Sequence, residues 1–120
     1  MRCLKLLTIA CALGAGLAPA LAKGPGKYTV AGVNADDKSK YEGTTTITKT
    51  GENIWRVVSV IDGDKFDGYG IGDEDIISVT FSGNGSTGVA LYVSEKDGSY
   101  TGIWAFKGDK KVSMETLTAK

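Results

Sequence analysis

A chain of 120 residues with 14 lysines plus arginines, 14 aspartates plus glutamates and no histidine excludes several kinds of protein at once. The length bounds one domain, and 42% hydrophobic content with a mean hydropathy of −0.06 belongs to a globular chain. Lack of histidine removes Ser-His-Asp and Cys-His machinery and histidine-ligated zinc, while balanced charge lacks the basic excess that nucleic acid demands.

The first segment reads as a leader, not as part of the fold. In Met1 to Ala22, Arg2 and Lys5 form a short positive region, Leu6 to Leu17 is an apolar run of twelve residues, and Ala20-Leu21-Ala22 is a small-x-small cleavage site. That is the pattern of a secretory signal peptide, and it is too short for a spanning helix of about 20 residues. A retained anchor is the alternative, but nothing after Ala22 stops transfer. A lipoprotein reading at Cys11 fails because only five residues separate it from Lys5. The expected domains are therefore residues 1–22 as signal peptide and 23–120 as the folded unit, located in the periplasm or secreted. Cleavage removes Arg2, Lys5, Cys3 and Cys11. It leaves 12 basic against 14 acidic residues, a net charge of −2, and no cysteine. The exported form then has no disulfide, no thiolate metal site and no membrane anchor.

Past Pro25, short runs rich in Val, Ile, Thr, Tyr and Trp alternate with Gly/Asn/Asp clusters. The pattern predicts strands at about 27–33, 41–50, 53–61, 65–71, 76–82, 87–94, 99–106 and 111–118. No window carries a helical period. Many short strands with short links imply an all-β, eight-stranded antiparallel up-and-down barrel, because closure abolishes both sheet edges. Alternation puts Tyr41, Gly43, Thr45 and Ile47 on one face. It does the same for Phe66, Gly68 and Gly70, and for Tyr100, Gly102, Trp104 and Phe106, with Trp55, Val57 and Ile61 joining them inside. Three strands repeat aromatic-x-Gly, at Tyr41-Glu42-Gly43, Phe66-Asp67-Gly68 and Tyr100-Thr101-Gly102. Strand glycines allow sharp bending, and a nearby aromatic covers the missing side chain.

The motifs that suggest chemistry fail on context. Gly83-Asn84-Gly85-Ser86-Thr87-Gly88 spells G-x-G-x-x-G, but a strand follows where dinucleotide binding needs a helix. Asp62-Gly63-Asp64-Lys65-Phe66-Asp67-Gly68 resembles a calcium loop with its third carboxylate and glycine one place late, so it reads as a type I′ turn. No cofactor, metal site or catalytic residue is expected. Arg56, in Ile54-Trp55-Arg56-Val57-Val58, falls opposite Trp55 and so outside, its stem along the sheet. The alternative is an internal ion pair with Glu115, which lies inside the equally apolar Val112–Leu117. In a meander the turns alternate between the ends, so Glu52, Asp73, Glu74, Asp75, Glu95 and Asp97 with Lys96 should gather at one rim.

The series Tyr28-Thr29-Val30-Ala31-Gly32, Tyr41-Glu42-Gly43-Thr44, Trp55-Arg56-Val57, Phe66-Asp67-Gly68-Tyr69-Gly70, Gly88-Val89-Ala90-Leu91-Tyr92, Gly98-Ser99-Tyr100-Thr101-Gly102-Ile103-Trp104 and Glu115-Thr116-Leu117 is similar to small secreted alphaproteobacterial proteins of unknown role. Some of these carry the label fibronectin-binding protein. More distantly the pattern resembles calycin barrels such as avidins, lipocalins and small periplasmic protease inhibitors. It lacks the lipocalin Gly-x-Trp, with Gly26-Lys27-Tyr28 there instead, and the inhibitors' disulfide. The resemblance implies a barrel and transfers no active site.

An eight-stranded barrel is filled by its own side chains or holds one small ligand. The leading expectation is a non-enzymatic barrel taking a small apolar or aromatic ligand into its lumen through Tyr41, Trp55, Phe66, Tyr100 and Trp104. The alternative is a module that binds an extracytoplasmic protein through its loops, as an inhibitor or adhesion factor. A lumen under about 300 Å³ would favour that alternative. A hydrolase would need two close carboxylates in an apolar cleft, and no such pair is legible.

Overall fold

A computed structural model describes residues 22–120, so all of the leader but Ala22 lies outside the described residues. Eight strands follow in order: β1 (Gly26–Val33), β2 (Lys40–Gly51), β3 (Ile54–Ile61), β4 (Asp64–Gly72), β5 (Ile76–Gly83), β6 (Ser86–Ser94), β7 (Tyr100–Phe106) and β8 (Ser113–Ala119). Each pairs antiparallel with the next, and β1 pairs with β8, closing an all-β barrel. Every expected strand is present, its ends within about two residues of the sequence reading.

Turn chemistry sets the hairpins. Asp62-Gly63 and Asn84-Gly85 both have positive φ at their two central residues (52° and 85°, 52° and 79°), the type I′ geometry that matches strand twist. This confirms the hairpin reading of the glycine-rich segment and of the calcium-like loop. β2 is the longest strand at 12 residues because its two partners are displaced along it. β1 covers Lys40 to Ile47, whereas β3 covers Gly43 to Gly51. That displacement is the stagger a closed barrel requires.

Inner faces are where alternation puts them: Tyr28 and Val30, Tyr41, Thr45 and Ile47, Trp55 and Val57, Ile77 and Val79, Ala90 and Tyr92, Tyr100, and Leu117 are all buried. Burying each large apolar side chain is worth about 1.5–3 kcal/mol, so this interior stands without a disulfide. The strand glycines work differently from the expectation. Aromatics cover glycines across the strand pair, not along their own strand: Tyr41 covers Gly32, Phe81 covers Gly88, and Tyr92 covers Gly102. Of the other two aromatic-x-Gly glycines, Gly43 has backbone against it, where a Cβ would sit 2.2 Å from the Val60 carbonyl oxygen, and Gly68 meets the Val79 and Phe81 side chains together with the Thr80 carbonyl.

The ends of the barrel differ. Turns after β2, β4 and β6 share one end with the N-terminal segment, which gathers Glu52, Asp73, Glu74, Asp75, Glu95, Asp97 and Lys96 there. Lys23 offsets part of that charge through an exposed pair with Asp75 (2.7 Å). The other end carries Asn34–Ser39, Asp62-Gly63, Asn84-Gly85 and Lys107–Val112, with mixed charge.

Candidate functional site

The acidic end is plugged. Trp55, Tyr28, Tyr100, Ile47, Ile77 and Leu117 are all fully or nearly fully buried, and the Tyr28 and Tyr100 rings meet edge to face at 5.7 Å. Their hydroxyls find partners in the backbone. Tyr28 donates between the carbonyls of Ala22 (2.5 Å) and Gly24 (2.7 Å), Tyr100 donates to the Glu74 carbonyl (2.7 Å), and the Gly24 amide donates to the Tyr100 oxygen (2.9 Å). Trp55 Nε1 donates to the Gly72 carbonyl at 2.8 Å. Residues 22–25 therefore lie across the base as a strap tied to two tyrosines, and its Lys23–Pro25 part, with the Gly24 contacts, belongs to the folded unit expected after cleavage at Ala22.

Toward the other end the lumen opens into a cavity of about 190 Å³. Its wall is aromatic: Tyr41, Phe66, Phe81, Tyr92, Trp104 and Phe106, with Val57, Ile61 and Val79 between them and Asn34 and Asp62 at the mouth. Phe81, Trp104 and Phe106 form an edge-to-face cluster with centroids 5.2 to 6.2 Å apart, and Phe66 packs on Phe81 and Phe106. Bending glycines make the room: Gly32, Gly88 and Gly102 each sit opposite a ring, so the rings lie against backbone instead of projecting into a neighbour. A second hollow of about 380 Å³ lies on the wall over β7, β8, β1 and β2, bounded mostly by outward residues such as Val33, Glu42 and Met114.

One carboxylate belongs to the lumen. Glu115 on β8 is 8% exposed and accepts hydrogen bonds from the Tyr41 hydroxyl (2.7 Å, Oε1) and the Tyr92 hydroxyl (2.9 Å, Oε2). Trp104 Nε1 donates to the Tyr41 oxygen at 2.7 Å, so the Tyr41 proton points at Glu115. Burial pushes the Glu115 carboxyl above the usual glutamate range, against the opposing pull of both tyrosines. Burial and the nearby Glu115 charge hold the Tyr41 and Tyr92 phenols far above their usual value, so both remain donors.

Of the five residues expected in the lumen, Tyr41, Phe66 and Trp104 line the cavity, whereas Trp55 and Tyr100 belong to the plug. The internal Arg56–Glu115 pair is not formed. Arg56 stands outside and binds Asp67 through Nε (3.2 Å) and Nη2 (2.9 Å), because alternation opposes it to the buried Trp55. Glu115 is inside, held by tyrosines. Phe81 and Tyr92 were not legible as lining residues. Their strands are apolar on both faces, Ile76 outside with Ile77 inside and Leu91 outside with Tyr92 inside, so hydrophobicity does not say which face turns in.

The fold has solved counterparts. A redesigned β-barrel, mFAP1, solved bound to DFHBI, aligns with TM-score 0.68 at 14% identity over 84% of this chain and 99% of that chain. EF1p2_mFAP2b, also solved bound to DFHBI, aligns with TM-score 0.63 at 16% identity over 86% of this chain and 100% of that one. No protein-family model and no curated protein matches the sequence. These likenesses define an eight-stranded closed barrel.

Proposed function

We propose that this is an exported, non-enzymatic barrel that binds a small apolar or aromatic ligand, about one ring in size, in the open half of its lumen. The observation that carries the reading is the cavity itself: one half of the barrel is filled by its own side chains, and the other is left open behind a wall of six aromatic residues. At about 190 Å³ it falls below the roughly 300 Å³ of ordinary drug-sized sites, which by itself favours the protein-binding alternative. Size here excludes a class of ligand more than ligands in general, since a dry apolar cavity of about 150 Å³ holds benzene. Both structural neighbours hold DFHBI, in keeping with ligand binding in a barrel of this form. Export rests on the apolar leader, and the non-enzymatic reading on Glu115, whose side-chain partners among the described residues are two tyrosine hydroxyls, with the cavity's other carboxylate, Asp62, out at the mouth.

Titration with benzyl alcohol tests this, followed by the indole N–H signals of the two tryptophans. Saturable movement of the Trp104 signal, with that of Trp55 at the plug unmoved, is expected. No saturable change at Trp104 sinks the proposal.

The protein-binding alternative keeps one observation of its own. Ile54, Tyr69, Ile71 and Ile76 stand 47 to 69% exposed on the outer wall beside the acidic end, and an exposed apolar patch is what a partner surface needs. A partner captured by the wild type and lost with Tyr69→Ser and Ile71→Ser would establish that reading.

A further inference from the structure

Glu115 is placed where a structural carboxylate would be expected to have a cation, yet among the described residues no lysine or arginine pairs with it; Lys40 borders the outer hollow that Glu115 also touches, not the lumen cavity. The residues bordering the cavity include two carboxylates, Glu115 within and Asp62 at the mouth, and no basic group. The groups packed around Glu115 are Tyr41 from β2, Tyr92 from β6, Trp104 behind Tyr41, and the backbones of Gly32 and Gly102, its cross-strand partners. Both phenols donate to it, which is the arrangement that suits an ionised carboxylate. A carboxylate has about four lone-pair positions, and two hydrogen bonds occupy only half of them.

Resting on the lumen-binding reading above, we infer that the ligand carries a protonated nitrogen, an ammonium or amidinium joined to a single aromatic or apolar ring, with its N–H groups on the free lone pairs of Glu115 and its charge among the faces of Tyr41, Trp104 and Phe81. Three physical terms favour a cation over a neutral molecule of the same shape. The carboxylate is already stripped of most of its water by folding, so binding desolvates only the incoming ammonium. Charge-assisted hydrogen bonds are roughly twice as strong as neutral ones. Aromatic faces add cation–π attraction, larger when the site is dry. Dispersion on the ring is the same for both molecules and cancels. An anionic ligand meets the opposite sum, since two like charges would share one low-dielectric chamber.

Three probes of nearly equal shape separate these terms: benzylammonium, benzyl alcohol and benzoate, titrated into the purified protein at pH 7 and read at the Trp104 indole N–H and by calorimetry. Benzylammonium is expected to bind at least tenfold more tightly than benzyl alcohol, with benzoate weaker than both. Glu115→Gln keeps the shape of the side chain, removes its charge and replaces one acceptor oxygen with an NH2 donor. It is expected to erase the benzylammonium preference, so that the ratio of benzylammonium to benzyl alcohol affinity falls at least tenfold. Equal or tighter binding of benzyl alcohol by the wild type overturns the cation inference and leaves lumen binding intact, as does a preference that survives Glu115→Gln. Failure of all three probes to bind overturns both readings. The wild-type comparison stands by itself should the variant fold poorly.

Discussion

Gly32→Ala is the substitution that most directly tests how the open half of the barrel is built. Gly32 and Tyr41 face each other across β1 and β2, and the hydroxyl end of the ring lies over the glycine. An alanine Cβ would sit 2.2 Å from Tyr41 Cζ and 2.4 Å from its Oη, where ordinary carbon contacts need about 3.5–4.0 Å. The ring must therefore move by more than about 1 Å. It is not free to do so, because its hydroxyl is tied at 2.7 Å to Glu115 on one side and at 2.7 Å to Trp104 on the other. Overpacking costs about 1–3 kcal/mol, and taking one donor from a buried carboxylate costs about 1–3 kcal/mol more. Together that is roughly 2–6 kcal/mol, or a fall in Tm of at least about 8 °C for a domain of this size. The assay is urea and thermal unfolding of the wild type, Gly32→Ala, Tyr41→Ala and the double variant. With the ring removed, the new methyl meets only the space it vacated. Gly32→Ala should then cost little, giving a coupling of about 1 kcal/mol or more. A Gly32→Ala protein within about 0.5 kcal/mol of wild type, or an additive cycle, refutes this account of the aromatic wall.

Three other predictions follow from the same geometry. The wild type should lose stability relative to Glu115→Gln as pH rises: burial raises the Glu115 carboxyl, so its contribution is full below the ordinary glutamate range and is lost as pH rises through its value in the fold. The gap between variant and wild type should thus open upward from about pH 4 in unfolding measured at several pH values, and a pH-independent gap would contradict it. Tyr100→Phe unties the strap, at a cost of about 1–2 kcal/mol, with faster amide exchange at Gly24 as the local signature. Arg56→Ala should leave Tm almost unmoved, since its pair with Asp67 is exposed; a large fall would mean the guanidinium has a second role.

The sequence made the fold legible because every level of it agreed. Val, Ile and Thr in period two, Asp-Gly and Asn-Gly at the hairpins, and the regular spacing of turns all specify the same meander. The rim charges followed from topology alone. The site was only partly legible. Tyr41, Phe66 and Trp104 were readable as inward, yet position along the axis decides whether an inward ring plugs or lines, and period two carries no information about depth. Trp55 and Tyr100 fell on the plugged side for that reason. Glu115 was conspicuous as a charge among apolar residues. Its partners were not, since Tyr41 lies 74 residues away and Tyr92 lies 23 away, and only the register of five neighbouring strands, β2, β1, β8, β7 and β6, brings them together. The aromatic–glycine pairs were noticed along the chain, where they repeat, although their contacts run across it.

The seam between β1 and β8 has a consequence for how the chain comes to be folded. Tyr28 opposes Ala119 and the Lys120 amide donates to the Lys27 carbonyl, so β1 waits for β8 before its outer edge is paired. A polypeptide emerging vectorially, from a ribosome or a translocation channel, carries an unclosed ribbon until β8 is free. Truncation by a handful of C-terminal residues would strip one neighbour from β1 and leave a sticky border open to self-association. Joining the two termini with a short linker and cutting at Asn84-Gly85 would preserve every ladder while moving the vulnerable border elsewhere.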